Sequence, residues 1–294
     1  MITVLRQLRL PLNLLKEQAG PIAGFTPNHS PFMSVKAMFR FLLFCGLLTL
    51  LQSCQHSMEA KRQKAENVQK LSDAASFNVQ LGMGYLKQGD RPRAKRKLLT
   101  ALELAPDSPD VNVAMAYFLE KTGDMEEARI YYKKALSLAP NSGAQLNNFG
   151  TFLCRAGKYK EAESYFLKAV SDVHYVHSAG AYENAGLCAT AVPDYAKAEI
   201  YFSKALEQDP ERKQSLLEIT TIALKQNQPD KALKYLQKYQ ELSLNDPVLL
   251  SLAADAATKL GKTEVAADYQ ARLNKLTRNT DYAGDKNEFD SANG

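Results

Sequence analysis

The chain has 294 residues, with 37 Lys and Arg against 32 Asp and Glu. Five of the basic residues and one acidic residue lie in residues 1–53, so the remainder carries 32 against 31. The basic balance therefore belongs to the N-terminal segment, and it gives no support to nucleic-acid binding by the rest. Reading in chain order, an apolar run from Phe41 to Leu51 follows Lys36 and Arg40. Its 11 residues fall far short of the ~20 that a membrane-spanning helix needs. A short apolar core behind a basic flank predicts a secretory signal peptide over residues 33–53. Residues 1–32 do not fit a leader, because Pro11, Pro21, Pro27 and Glu17 precede the basic flank. They read as an extension ahead of a natural start at Met33.

The leader ends in Leu51-Gln52-Ser53-Cys54, which resembles the lipobox of bacterial lipoproteins. That resemblance implies cleavage before Cys54 and acylation of its thiol, giving a lipid anchor. An uncleaved anchor and an ordinary cleaved signal are the alternatives. Gln55 stands where an Asp would imply retention at the inner membrane, so the expected place is the outer membrane, facing the periplasm. Residues 54–74 are then the lipidated cysteine and a polar spacer. Fully extended, a spacer of this length spans at most ~65–70 Å.

From residue 75 the chain repeats itself. Ala94, Ala128, Ala162, Ala198, Ala232 and Ala266 recur at spacings of 34, 34, 36, 34 and 34. Twelve residues before each stand Gly82, Ala116, Gly150, Gly186, Thr220 and Ala254, and four after each stand Leu98, Tyr132, Phe166, Phe202, Leu236 and Gln270. Small residues at two fixed points let two helices cross closely, and the large apolar residue fills the space beside them. Pro106, Pro140 and Pro210 mark the ends of second helices, which proline cannot continue. This pattern resembles the tetratricopeptide repeat (TPR). It implies an all-α solenoid of six helix-turn-helix repeats in a right-handed superhelix, at 75–108, 109–142, 143–178, 179–212, 213–246 and 247–280. The two extra residues fall near His174–Ser178, between repeats three and four. Gln270 replaces the large apolar residue in repeat six, as suits a terminal repeat with one face in water. Residues 281–294 show no apolar periodicity and are expected to be disordered.

The sequence contains no H-E-x-x-H, G-x-S-x-G, Walker or C-x-x-C motif, so no enzyme and no cofactor is expected. Cys154 and Cys188 lie on the first helices of repeats three and four, which run side by side. In an exported protein this predicts a disulfide. Two unpaired thiols, or a zinc site completed by His174 and His177, are the alternatives. The remaining candidate site is the concave face of the first helices. By repeat register it displays Val79, Met83 and Lys87, then Val113, Tyr117 and Lys121, then Asn147, Thr151 and Arg155, then Glu183 and Leu187. Of these Val79, Met83, Val113, Tyr117, Asn147, Thr151 and Glu183 are the predicted partner-binding groove. Mixed apolar and neutral polar groups suit an extended or helical peptide.

The leader, the polar spacer and the repeats together resemble the PilF/PilW family of type IV pilus biogenesis lipoproteins. The closest local stretches are "NNFGTFLCRAGKYKEAESYFLKAV" and "YENAGLCATAVPDYAKAEIYFSKAL". The resemblance implies a pilotin, an outer-membrane lipoprotein that binds the type IV pilus secretin and promotes its outer-membrane localisation and assembly. It implies no metal, nucleic-acid or small-molecule partner. The alternative is another envelope TPR lipoprotein, a scaffold for peptidoglycan enzymes or for outer-membrane protein assembly.

Overall fold

A computed structural model describes the backbone of residues 35–291 and the side chains of most of residues 58–278. Residues 1–32, the side chains of the leader and the Cys54 thiol lie outside the described residues. Residues up to Gln63 and those from Lys64 onward form two units; the second holds the repeats. All described elements are helices.

Helix α1 (Val35–Lys87) supplies, in its last turns, the first helix of repeat one, and α2 (Arg91–Leu104) the second. The next pairs are α3 (Pro109–Thr122) with α4 (Met125–Leu138), and α5 (Gly143–Arg155) with α6 (Tyr159–Ala169). They are followed by α7 (Ser178–Ala191) with α8 (Tyr195–Gln208), and α9 (Lys213–Lys225) with α10 (Pro229–Lys238). A short α11 (Gln240–Ser243) precedes α12 (Pro247–Lys259) and α13 (Thr263–Ser291). Helices α2, α4 and α8 stop two residues before Pro106, Pro140 and Pro210. From α3 onward the two helices of each repeat pack together, and the first helix of each repeat also packs on the first helix of the next.

The small-residue crossing is visible in atomic detail. Ala94, Ala128, Ala162, Ala198 and Ala232 have no exposed surface. A Cβ added at Gly186 would lie 2.6 Å from the Phe202 ring, and one at Gly150 would lie 2.9 Å from the Phe166 ring. Leu98, Tyr132, Phe166, Phe202 and Leu236 are buried beside these crossings. Gln270 is exposed and hydrogen-bonds Asn274 at 3.1 Å. Most of the core joins in one cluster from Ala94 to Tyr269. No single pair of helices buries its apolar face alone, so neighbouring repeats stabilise one another.

Two segments differ from the sequence reading. Residues 55–74 are helical within α1, and α13 continues to Ser291. Neither stretch contains proline, and a preceding helix already formed needs no new nucleus to continue. Along residues 61–73, which are exposed, polar composition sets solvent exposure rather than backbone conformation. Among the described residues no helix is long and apolar enough to cross a membrane.

Candidate functional site

The concave face is laid down by the period itself, because equivalent positions of successive first helices lie in columns. Val79, Met83, Val113 and Leu187 are half-buried and pack on the main core while leaving part of their surface in solvent. Ala75 of α1 and Val111 of α3 form an apolar seam with Val79 beside them. Tyr117 is half-buried, and the Lys121 ammonium stands 5.2 Å from its ring centre. A cation over an aromatic face is weakly attracted to it, so Lys121 covers this ring. Lys87 is exposed at the end of α1.

The polar members of the face are engaged within the chain. The Asn184 amide donates to Asn147 Oδ1 at 3.0 Å, and Thr151 Oγ1 donates to the Asn147 carbonyl at 2.8 Å. Glu183 Oε1 pairs with Arg212 Nη1 at 3.1 Å, and Glu183 Oε2 accepts from Ser215 Oγ at 2.8 Å. Glu183 therefore ties α7 to the start of α9. Arg155 reaches back to Glu120: its Nη2 donates to Glu120 Oε2 at 2.8 Å and its Nε to Oε1. Tyr132 Oη donates to the same carboxylate at 3.1 Å. Burial, then the Glu120 charge, push the Tyr132 hydroxyl far above the usual tyrosine range.

Cys154 and Cys188 come together, with Cα atoms 5.8 Å apart and sulfurs in bonding contact. That separation falls within the range a disulfide spans. His174 and His177 sit apart from them in the turn before α7. There Asp172 accepts from the Gly143 N–H at 2.8 Å and the His174 N–H at 3.0 Å. These N–H groups hold its carboxyl below the usual range. Among the described residues no group of three or more His, Cys, Asp or Glu could hold a metal ion.

Two features escaped the sequence reading. The first is a ladder on the second helices. Glu163 accepts from Lys197 Nζ at 2.9 Å and Tyr201 Oη at 2.5 Å, and Glu199 pairs with Lys231 and faces Tyr235 Oη at 3.5 Å. Burial and the hydrogen bond to Glu163 push the Tyr201 hydroxyl far up. The signal was a tyrosine column, Tyr131, Tyr165, Tyr201, Tyr235 and Tyr269, at spacings of 34, 36, 34 and 34. The second is a cleft of about 500 Å³ beside the cysteine pair, lined by Tyr159, Glu163, Cys188, Val192, Lys197 and Tyr201. Of its charged groups, Glu163 and Lys197 are paired with one another at 2.9 Å.

The family described as tetratricopeptide repeat matches residues 79–143 and 150–213. Those two stretches carry tetratricopeptide repeats, in keeping with the all-helical repeat architecture of the described residues. TPR solenoids work by protein–protein contact over surfaces such as the face described above. Among solved structures, PilF of Pseudomonas aeruginosa is 29% identical and superposes with a TM-score of 0.57, over 70% of this chain and 93% of that one. PilW, a type IV pilus biogenesis factor, is 27% identical with a TM-score of 0.56, over 69% of this chain and 94% of that one. Among curated proteins none matches the chain. The repeat unit is thus similar to PilF and to PilW over nearly the full length of each.

Proposed function

We propose that this chain is an outer-membrane lipoprotein of type IV pilus biogenesis that binds the pilus secretin and promotes its multimerisation. The observation that carries the reading is the joint likeness to PilF and PilW, each covered over more than nine-tenths of its length. The lipobox-like ending at Cys54 supplies the anchor. Each buried acyl CH₂ contributes about 0.8 kcal/mol, and two or more chains hold a protein stably at a membrane. A tethered solenoid beside a membrane-bound target gains effective concentration without new contacts.

The docking face is the half-buried apolar group Val79, Met83, Val113 and Tyr117, bordered by Asn147 and Thr151, whose hydrogen bonds are made within the chain. Met adapts its shape to a partner, and Tyr offers a large apolar face with a polar tip. The role is that of a scaffold, with no catalytic step. The test is the ratio of secretin multimer to monomer in envelopes of a deletion strain. Loss of multimer on deletion, restored by the wild-type gene, is the expected result. Unchanged multimers would sink the pilotin reading and leave a general envelope scaffold in its place.

A further inference from the structure

The cleft beside the cysteine pair follows from the repeat register. One wall is α7, where Ala185, Cys188 and Ala189 are buried. The same three register positions carry Met115, Phe118 and Leu119 in repeat two, Phe149, Phe152 and Leu153 in repeat three, and Ile219, Ile222 and Ala223 in repeat five. Repeat six is as small as repeat four, with Ala253, Ala256 and Ala257. There, however, the preceding second helix supplies Leu233, which is buried in the main core. At the register position of Leu233, α6 carries Glu163, whose carboxylate is bound to Lys197 and Tyr201 of α8. Of the five joints between repeats, this one alone combines small residues on the first helix with a charged residue on the preceding second helix. The space left is about 500 Å³, within the roughly 300–1,000 Å³ typical of binding sites.

The neighbouring joints show what fits this space. Tyr165 has the Phe149 ring edge-on at 4.9 Å, whereas its counterpart Tyr201 has Ala185 at that register position. Protein interiors are close-packed, and walls that face a void lose the dispersion contacts a neighbour would give. The chain's other joints fill the equivalent space with Phe, Ile, Met or Leu side chains, so a side chain of that class is the guest that restores those contacts. The mouth adds a charge preference. Lys197 is shared by Glu163 at 2.9 Å and Asp194 at 4.0 Å. Lys158 and Lys160 also line the cleft, are exposed, and make no ion pair among the described residues. Glu161 alone is left to oppose them, so the unpaired charge at the mouth is positive.

We infer that the cleft between repeats three and four is a second docking site, which receives a large apolar side chain from a partner protein's segment with an acidic residue next to it. The apolar side chain packs on Tyr159, Ala185, Ala189 and Tyr201, and the carboxylate meets Lys158 and Lys160. The disulfide between α5 and α7 fastens the joint, so the space is formed before the guest arrives. None of the lining residues belongs to the docking face of repeats one and two, so the secretin reading and this one stand or fall separately.

The test is fluorescence polarisation of the full chain with a labelled peptide, Ser-Gly-Asp-Phe-Asp-Gly-Ser. Two further peptides replace its Phe by Ala, or both its Asp by Lys. We expect saturable binding of the first peptide and about tenfold or more weaker binding when Phe becomes Ala. The variant A185F/A189L puts the residues of repeat three into the cleft and should bind the first peptide about tenfold or more weakly. It should melt no lower than the parent, because it fills a void. If it does melt lower, A189L alone, which restores the residue of repeats two and three, carries the same expectation. The variant K158E/K160E should bind the Asp peptide about fivefold more weakly and should prefer the Lys peptide. Absence of saturable binding, equal binding of the Phe and Ala peptides, or undiminished binding by the filled variant overturns the inference. A wild-type dimer that becomes a monomer in A185F/A189L would assign the cleft to a second copy of the chain and overturn the partner. Binding by K158E/K160E equal to wild type overturns the acidic flank.

Discussion

Replacing Arg155 by Leu should expose how the second and third repeats are joined. Arg155 on α5 is the charged partner of Glu120 on α3, whose side chain is only 6% exposed. Without the guanidinium the carboxylate keeps one neutral donor, Tyr132 Oη at 3.1 Å. Breaking a fully buried ion pair costs about 3–5 kcal/mol, whereas an exposed pair contributes roughly 0–1. The Arg155 side chain is 38% exposed, so water relieves part of the loss and about 2 kcal/mol is expected. For a domain of this size that lowers Tm by roughly 4–8 °C. The assay is urea or thermal unfolding followed by far-UV circular dichroism, scored on the first transition, because repeat arrays can unfold stepwise. Glu120→Gln added to Arg155→Leu should recover most of the stability: the amide still accepts from Tyr132 and leaves no buried charge. If Arg155→Leu melts with the wild type, or if the double variant loses the sum of the single losses, the carboxylate is not held by this pair.

Peptide mapping without reduction should recover Cys154 linked to Cys188. Replacing both by Ser should cost up to ~4 kcal/mol on chain-entropy grounds for a loop of this length, and two free thiols in envelope protein would refute the pairing. On the alkaline side, the Tyr132 and Tyr201 hydroxyls are raised above the ordinary value of 10.0. Their contribution is complete below about pH 10 and is lost as pH rises further; Tyr132→Phe should flatten that decline in a melting series. On the acid side, burial alone would raise the Asp246 carboxyl, but Lys213 and the Leu249 and Val248 N–H groups hold it below 3.8. Its contribution is present above about pH 4 and lost as pH falls below that, so Asp246→Asn should be less sensitive to acid. Met83→Ala with Tyr117→Ala should weaken secretin binding by two or more powers of ten in Kd, since each buried side chain contributes about 1.5–3 kcal/mol. A double variant that restores secretin multimers fully in a deletion strain would move the docking face elsewhere.

The period made the fold legible because it encodes packing directly. A small residue at Gly186 and an aromatic ring at Phe202 are two halves of one contact, 2.6 Å from a Cβ that is not there. Cys154 and Cys188 were legible for the same reason, since a 34-residue separation places them on adjacent first helices. The helical state of residues 55–74 was not, because polar composition signals exposure and leaves the backbone undetermined. Nor was the engagement of Glu183. Register places it on the concave face, but its partners Arg212 and Ser215 come from the far side of α8, and which rotamer wins depends on the curvature of the stack.

That engagement separates the concave face into two parts with different work. From repeat two to repeat five, polar groups stitch neighbouring repeats. Gln145 donates to Asp110 at 2.8 Å, Asn184 to Asn147 at 3.0 Å, and Ser215 to Glu183 at 2.8 Å. Their hydrogen-bonding capacity is largely spent on the relative placement of the helices, and a ligand would have to break those bonds to use it. Between repeats one and two the seam is apolar, made by Ala75, Val79 and Val111, and Met83 and Tyr117 of the same two repeats hold no cross-repeat hydrogen bond among the described residues. Apolar contact is non-directional, so this end can accept a partner's side chain without undoing an internal hydrogen bond. Substitution therefore should divide the face by phenotype. Asn147→Ala and Glu183→Ala should lower Tm and change partner affinity little, while Met83→Ala and Tyr117→Ala should do the reverse. Equal effects on both measurements at all four positions would mean that stability and binding are not separated along the solenoid.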